Sequence, residues 1–328
     1  MGSSGKSSST NVRKIRANLL AWYDVARRDL PWRRTTDPYR IWVSEIMLQQ
    51  TRVAAVIEYY RRFLDRFPDL PTLATAKEKD VLAAWSGLGY YRRARALHQA
   101  AKVVVKEHVG SVPHTAAELV TLPGIGRYTA AAISSIAFGE KQAVVDGNVE
   151  RVLSRLLGKH LRDREDAWSH AEALLDPDRP GDWNQAMMEL GAMVCLPADP
   201  KCLICPIRKW CKEPGREVRK AQGPRKQKEL LFGLAQRRDS IYLVQRPNGA
   251  SLMADMWELP SVEDHGGSLV LHRARHSITD SDYKVTIFFL DEMKARGGKW
   301  IRRRQLHALP VTGLTRKVLR AANLWPES

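Results

Sequence analysis

All four cysteines of this 328-residue chain fall within one short stretch: Cys195, Cys202, Cys205 and Cys211, separated by six, two and five residues. A loop so built can turn four thiolates onto one centre. Four sulfur ligands suit a structural zinc or an iron–sulfur cluster, and the spacing by itself leaves both open, beside the blander reading of four buried thiols that are neighbours by chance. Either centre needs a reducing compartment, and a disulfide framework is not expected.

Lys and Arg number 53 against 36 Asp and Glu, a net charge of +17. A surplus of that size points to a polyanionic partner, and nucleic acid is favoured over an anionic membrane surface. No run of eighteen apolar residues could span a bilayer, and the first residues lack the apolar stretch of a secretory signal. A cytoplasmic, nucleoid-associated monomer is expected.

The Ser/Gly-rich opening MGSSGKSSST reads as a disordered leader, residues 1–11. From residue 12 to 211 apolar residues recur every three or four positions, with breaks at Pro68, Pro71, Gly87, Gly89, Pro123 and Gly124, so this region is expected to be all-α. Residues 212–228, KEPGREVRKAQGPRKQK, carry seven Lys/Arg against two Glu and read as a basic linker. Over 229–325 the period shortens to β-rich runs, LLFGLAQ, SIYLVQR, YKVTIFFL and KWIRR, which predict a smaller α+β domain.

Three segments carry chemistry. Leu122–Ala130, LPGIGRYTA, lies between helical stretches and reads as helix, tight glycine turn, helix. Gly124 and Gly126 permit backbone conformations closed to other residues, and the following helix start presents N–H groups that can grip a phosphate, although an ordinary interhelical turn would look similar. Asp146, in VVDGNVERVLSRLL, opens an amphipathic helix. It and Asn148 are both natural N-caps, a role compatible with catalysis. Glu45 sits in IWVSEIMLQQ among Ile41, Trp42, Ile46, Met47 and Leu48. Burial there would raise its pKa and keep it protonated, whereas a solvated helix face would not.

Together these segments resemble the helix–hairpin–helix DNA glycosylase superfamily, with its hairpin, its Gly/Pro-rich loop and its essential Asp. The cysteine spacing is that of the superfamily's iron–sulfur branch, so the resemblance implies a 4Fe–4S cluster on Cys195, Cys202, Cys205 and Cys211. In the endonuclease III branch a hairpin lysine forms a Schiff base with the sugar. Tyr128 stands in that slot here, which implies a monofunctional enzyme. DLPWR (Asp29–Arg33), SEIMLQQT (Ser44–Thr51), GLGYYRRA (Gly87–Ala94), DGNVERV (Asp146–Val152) and NQAMMELGAMVC (Asn184–Cys195) resemble the MutY-type adenine glycosylase family in particular. The implied architecture is an all-α helix–hairpin–helix domain with a cluster loop at 195–211, followed by a smaller α+β Nudix-like domain. WELP (Trp257–Pro260) is similar to part of that module, but no acidic pyrophosphatase box follows it.

The resemblance implies removal of adenine opposite 8-oxoguanine or guanine in duplex DNA, with the nucleotide extruded into a pocket. Glu45 would protonate the base at N7. Asp146 would stabilise the cationic sugar, by direct charge or by transient covalent attachment, dividing the work as two carboxyls do in glycoside hydrolysis. Tyr128 and Asn148 would support them, and Trp32, Arg33, Leu48 and Glu189 would line the adenine pocket. Gln50, Leu88, Tyr90, Gly124, Gly126 and Arg127 would meet the DNA, with Gln50 and Tyr90 entering the helix beside the lesion. For lesion reading the family commonly carries a Phe-Ser-His loop. The best match here, RHSITD (Arg275–Asp280), leaves Thr279, or Ser277 in another register, to contact 8-oxoguanine with Tyr90, and puts Asp280 in the histidine slot. Rival readings are an endonuclease III-like glycosylase/lyase on oxidised pyrimidines, which Tyr128 opposes, and a non-catalytic iron–sulfur DNA-binding protein, which the carboxylate pair opposes. A Nudix hydrolase is opposed by the missing acidic box.

Overall fold

The structure is a computed structural model describing residues 4–159, 161, 163–216, 226–250, 253–263, 269–278, 281–291, 295 and 297–326, with residues 4–9, 164, 274 and 276–278 described by their backbone alone. Along the chain run α1 (Ser4–Ala26), α2 (Pro38–Leu48), α3 (Val53–Arg66), α4 (Leu70–Thr75), α5 (Glu78–Trp85), α6 (Arg92–Glu107), α7 (Ala116–Leu119), α8 (Arg127–Phe138), α9 (Gly147–Leu157), α10 (Arg164–Leu174) and α11 (Pro180–Met193). Strands β1 (Lys226–Leu234), β2 (Gln236–Arg237), β3 (Ser240–Gln245), β4 (Trp257–Glu258), β5 (Val270–Ile278), β6 (Ser281–Phe289) and β7 (Gly298–Arg302) follow, and α12 (Gly313–Ala321) comes last. Among the described residues no helix is long and apolar enough to cross a membrane.

Packing divides the chain into two compact units, residues 1–50 with 100–220 and residues 51–99 with 221–328. The first is helical throughout. Its core gathers Leu19 and Tyr23 of α1, Ala131 of α8, Val149 and Leu153 of α9, and Trp183, Met187 and Leu190 of α11. Small residues let these helices approach closely. A Cβ at Gly181 of α11 would lie 2.6 Å from the Ser135 carbonyl oxygen of α8, so only glycine fits that crossing. α1 begins at Ser4, taking in part of the stretch whose composition reads as a disordered leader.

In the second unit, β1 pairs in parallel with β6, and β6 pairs antiparallel with β5. A second sheet runs β2, β3, β4, with β7 on β3. Phe232, Leu243, Trp257 and Ile287 bury their side chains against Leu306 and against Val318 and Leu319 of α12. The β-rich runs read from sequence thus form β1, β3, β6 and β7. β1 already starts at Lys226, because pairing with Ser281 supplies the ladder that composition alone withheld from the end of the expected 212–228 linker.

Residues 51–99, which periodicity groups with the all-α region, pack with the C-terminal sheets. Ser86 Oγ donates to the Val311 carbonyl at 2.8 Å, Tyr91 Oη to the same oxygen at 3.2 Å, and Arg95 Nη2 to Ala254 O at 2.5 Å. Periodicity shows which face of a helix is apolar, not which neighbour covers it.

Candidate active site

The site assembles in the first unit from α2, α8, the start of α9 and α11. Asp37 caps α2, its Oδ1 accepting from Tyr39 N at 2.8 Å and Arg40 N at 3.3 Å, with Pro38 set in the first turn. That start places Glu45 on the buried side of the helix, 6% exposed. Burial pushes its carboxyl up to about 7. A hydrogen bond from the Tyr128 hydroxyl of α8 opposes the shift, the Asp146 carboxylate adds to it, and Arg33 opposes it. Tyr128 is itself pushed well above the ordinary phenol range by burial and by the same two carboxyls, and its oxygen lies 3.2 Å from the Met188 sulfur.

Asp146 is the N-cap of α9. Its Oδ1 accepts from the backbone N–H of Asn148 and of Val149, each at 2.8 Å, while Oδ2 accepts from Asn148 Nδ2 at 2.9 Å. The strand-like approach to Asp146 is pinned by Asn184 of α11, which accepts from Val144 N at 3.1 Å and donates to Gln142 O and Ser135 Oγ at 2.8 and 2.9 Å. Asn148 Oδ1 accepts from Arg151 Nη2 at 2.9 Å. The same guanidinium donates to Gly191 O at 2.7 Å and Cys195 O at 2.8 Å. A Cβ at Gly191 would come within 2.5 Å of Asn148 Cβ, so glycine is what lets α11 pass beside the Asp146 turn.

Glu189 is fully buried and forms two forked pairs. Arg28 donates through its backbone N and Nε at 2.9 Å and through Nη2 at 2.5 Å. Arg33 donates through Nη1 and Nη2 at 2.8 and 2.9 Å. Burial alone would raise this carboxyl, but the two arginines hold it down at about 2. Removing it leaves two cations unpaired, Arg33 being 10% and Arg28 36% exposed. Glu189→Ala is expected to cost about 3 kcal/mol of stability in chemical denaturation, near the low end for a broken buried pair because Arg28 keeps some water. Since the folded-state pKa is depressed, this stabilisation is present above the ordinary Glu value and fades as pH falls towards 2.

Trp32 is buried in the turn Pro31–Arg33, and Leu48 is half-buried at the end of α2. Gln50, next to it, is exposed with a left-handed backbone, φ 55°. Gly124 takes φ 76° in the hairpin, and a side chain added at Gly126, the N-cap of α8, would meet nothing within 4 Å, so the face of that turn is open. Arg127 is turned elsewhere. Its guanidinium lies 4.1 Å from the Trp168 ring centroid and pairs with Glu165 at 2.8 Å and Glu172 at 3.3 Å, both half-exposed pairs on the surface. In the second unit Tyr90 is 42% exposed with φ 50° and carries Arg93 over its ring, while Leu88 is buried. Ser277 lies in β5 opposite Asp282, its side chain outside the described residues, and Thr279 and Asp280 lie outside them altogether.

The sequence reading missed Arg28, Arg151 and Arg155. Arg28 adjoins the quoted DLPWR, and Arg151 lies inside DGNVERV. A carboxyl expected to line a pocket, as Glu189 is, calls for cations nearby, but nothing in the chain says which of its many arginines supply them. Arg155 is 1% exposed and donates to Cys195 Sγ at 3.2 Å, Leu196 O at 2.7 Å and Pro197 O at 3.0 Å. The four thiols influence one another electrostatically. Burial, then the neighbouring cysteines, push Cys205 up to about 11 and Cys211 upward, although backbone N–H groups oppose this. Among the described residues no three His, Cys, Asp or Glu side chains converge closely enough to hold one metal ion, an arrangement that a four-iron cluster, with one thiolate per iron, does not require.

A family described as HhH-GPD superfamily base excision DNA repair protein matches residues 43–176. The adenine DNA glycosylase of Mus musculus is 49% identical over 222 residues, covering 62% of this chain and 42% of the mouse protein, so the chain spans less than half of that relative. The adenine DNA glycosylase of Schizosaccharomyces pombe is 34% identical over 322 residues, covering 77% of this chain and 70% of its own length. Among solved structures, a thermostable thymine-DNA glycosylase aligns with a TM-score of 0.58 at 31% identity, over 62% of this chain and 97% of its own. With a hairpin, a buried glutamate and a capping aspartate in one helical unit, the chain belongs to the HhH-GPD superfamily and, within it, to the adenine DNA glycosylase family.

Proposed function

We propose that the chain is a monofunctional adenine DNA glycosylase of base excision repair, hydrolysing the N-glycosidic bond of adenine opposite 8-oxoguanine or guanine in duplex DNA. The observation that carries this reading is the unequal carboxyl pair: Glu45, buried and raised to about 7, in the field of Asp146, which is fixed by three hydrogen bonds. Protonated Glu45 gives its proton to N7 of the extruded adenine, so the base departs neutral as the N–C1′ bond breaks. The Asp146 carboxylate stabilises the positive charge left on the sugar, water adds at C1′, and the water proton is taken up by a carboxylate. Arg33 and Arg28, locked on Glu189, shape the pocket wall. Gln50 and Tyr90 each hold a strained left-handed backbone, the cost a fold accepts where a side chain must project into a ligand.

The four cysteines would hold a 4Fe–4S cluster. Their all-sulfur donor set, with the buried Arg155 cation donating to Cys195 Sγ, suits an anionic thiolate assembly. When bound, the cluster supplies a cross-link that fixes the 195–211 loop. Arg151 and Arg155 tie that loop to the Asp146 turn and to α9. Purified protein should be brown and contain about four irons per chain; colourless, zinc-loaded protein would overturn this assignment. The β-rich unit is proposed to be Nudix-like and to read 8-oxoguanine through residues 275–280, and the chain to act as a cytoplasmic, nucleoid-associated monomer.

The test is single-turnover adenine release from an 8-oxoguanine:A duplex, with a thymine glycol duplex alongside. Strand breaks only after alkali, and only on the adenine substrate, support the reading. Alkali-independent breaks on thymine glycol would move the chain to the glycosylase/lyase branch.

A further inference from the structure

The second unit contains a cavity of about 740 Å³ that the reaction above does not use, lined by Arg62, Arg303, His307, Arg316, Arg320 and Trp325, among others, and by no carboxylate. Arg316, on α12, is 8% exposed. Its Nη1 donates to the Ser86 carbonyl and, at 3.4 Å, to Tyr59 Oη, but its Nε, like Nε1 of Trp325, is buried without a hydrogen-bond partner. The guanidinium lies 4.6 Å from the Trp325 ring centroid, a cation–π contact that offsets part of its desolvation and leaves the Nε donor unmet.

Around this buried cation stand further cations. Arg320 follows four residues later on α12, where like charges repel, and Arg62 approaches from α3. Burial lowers the pKa of Arg316, and both of these arginines lower it further. Arg303 is committed to the carbonyls of Leu324 and Asn323 at 2.9 and 2.8 Å, which anchors the segment carrying Trp325. Arg62 has one carboxylate nearby, Glu58 at 3.7 Å, and beyond it an anion in the cavity would offset the same-sign charge gathered around the unmet buried donor.

We infer that this cavity binds a small polyphosphate, with phosphate oxygens bridging Arg62 and Arg320 in the field of the buried Arg316, whose Nε and the Trp325 Nε1 come within reach once these side chains turn toward the ligand. Phosphate oxyanions match a guanidinium fork, and about 740 Å³, half open to solvent, is room enough for a nucleotide-scale ligand. The Trp325 ring is already covered by Arg316 and met at 82° by His307, 5.4 Å away, which leaves no free aromatic face for a base, so the ligand is assigned by its phosphates alone.

The probe is inorganic tripolyphosphate, titrated calorimetrically into the whole protein. Saturable binding near one per chain is expected. Arg62→Gln with Arg320→Gln removes two charges from the rim without touching the buried pair, and should weaken binding at least about tenfold. Arg13→Gln with Lys14→Gln, an equal loss of charge on α1, should leave it unchanged. Arg316→Lys keeps the charge but deletes the Nε donor, and should also weaken it. Absence of saturable binding overturns the proposal, as does an equal loss in the rim and α1 variants, which would mark diffuse attraction to a +17 chain. An undamaged duplex serves as the second arm. If the rim variant loses duplex affinity while tripolyphosphate fails to bind wild type, the anion is the DNA backbone and the polyphosphate site is refuted.

Discussion

Glu45→Gln is expected to lose about 10²–10⁴-fold in single-turnover adenine release, the range for removing a positioned general acid, while duplex binding stays near wild type. Gln fills the same space but has no acidic proton to give. The pH dependence makes the test specific. With Glu45 raised to about 7, wild-type release should hold at lower pH and fall above that value as the acid ionises, whereas the residual rate of Glu45→Gln should lack this descending limb. Stability should move the other way. Between the ordinary Glu value and about 7 the folded state binds more protons than the unfolded chain, so wild-type stability declines as pH rises through that window. The decline amounts to about 3 kcal/mol, and Glu45→Gln should escape it and be the more stable protein at pH 8. A variant that keeps wild-type release, or loses activity together with stability, would remove Glu45 from the acid role.

The helical character of the site was legible because its signals are local. Capping residues, glycine turns and periodic apolar faces act over a few residues, and Gly124, Gly126 and Asp146 stand where those rules place them. The partnerships were not legible, since they join residues distant along the chain. Nothing near Glu189 in the sequence announces that Arg28 and Arg33, 161 and 156 positions earlier, will clamp it. Arg127 illustrates the converse: its place in the hairpin suggests a phosphate contact, but Glu165, Glu172 and Trp168 of α10 claim the side chain. The grouping of residues 51–99 with the C-terminal sheets was hidden for the same reason, because Ser86 and Tyr91 meet Val311 through contacts that no periodicity records. β5 was overlooked because VLHRARHSI alternates poorly, and β6 alongside supplies its hydrogen bonds.

Asp146→Asn should separate charge from scaffold. Asn is as good an N-cap as Asp, so Oδ1 can still accept from Asn148 N and Val149 N, and α9 should keep its start. On the other side the new amide Nδ2 would face Asn148 Nδ2, two donors where one hydrogen bond stood, a local loss of about 1–3 kcal/mol. The reaction suffers more. A carboxylate about 4 Å from a developing sugar cation, at an effective dielectric of about 20, contributes about 4 kcal/mol, and its neutralisation slows release by about 10³-fold. A purely capping role for Asp146 predicts a change in melting temperature with little change in rate, the opposite pattern. One further signature ties the two carboxyls together. Because the Asp146 charge helps to raise Glu45, neutralising it should move the descending limb of the pH profile below its wild-type midpoint near 7. A limb that stays in place would mean that the Asp146 charge does not act on Glu45, and the division of labour between a protonated acid and a charged stabiliser would lose its physical basis.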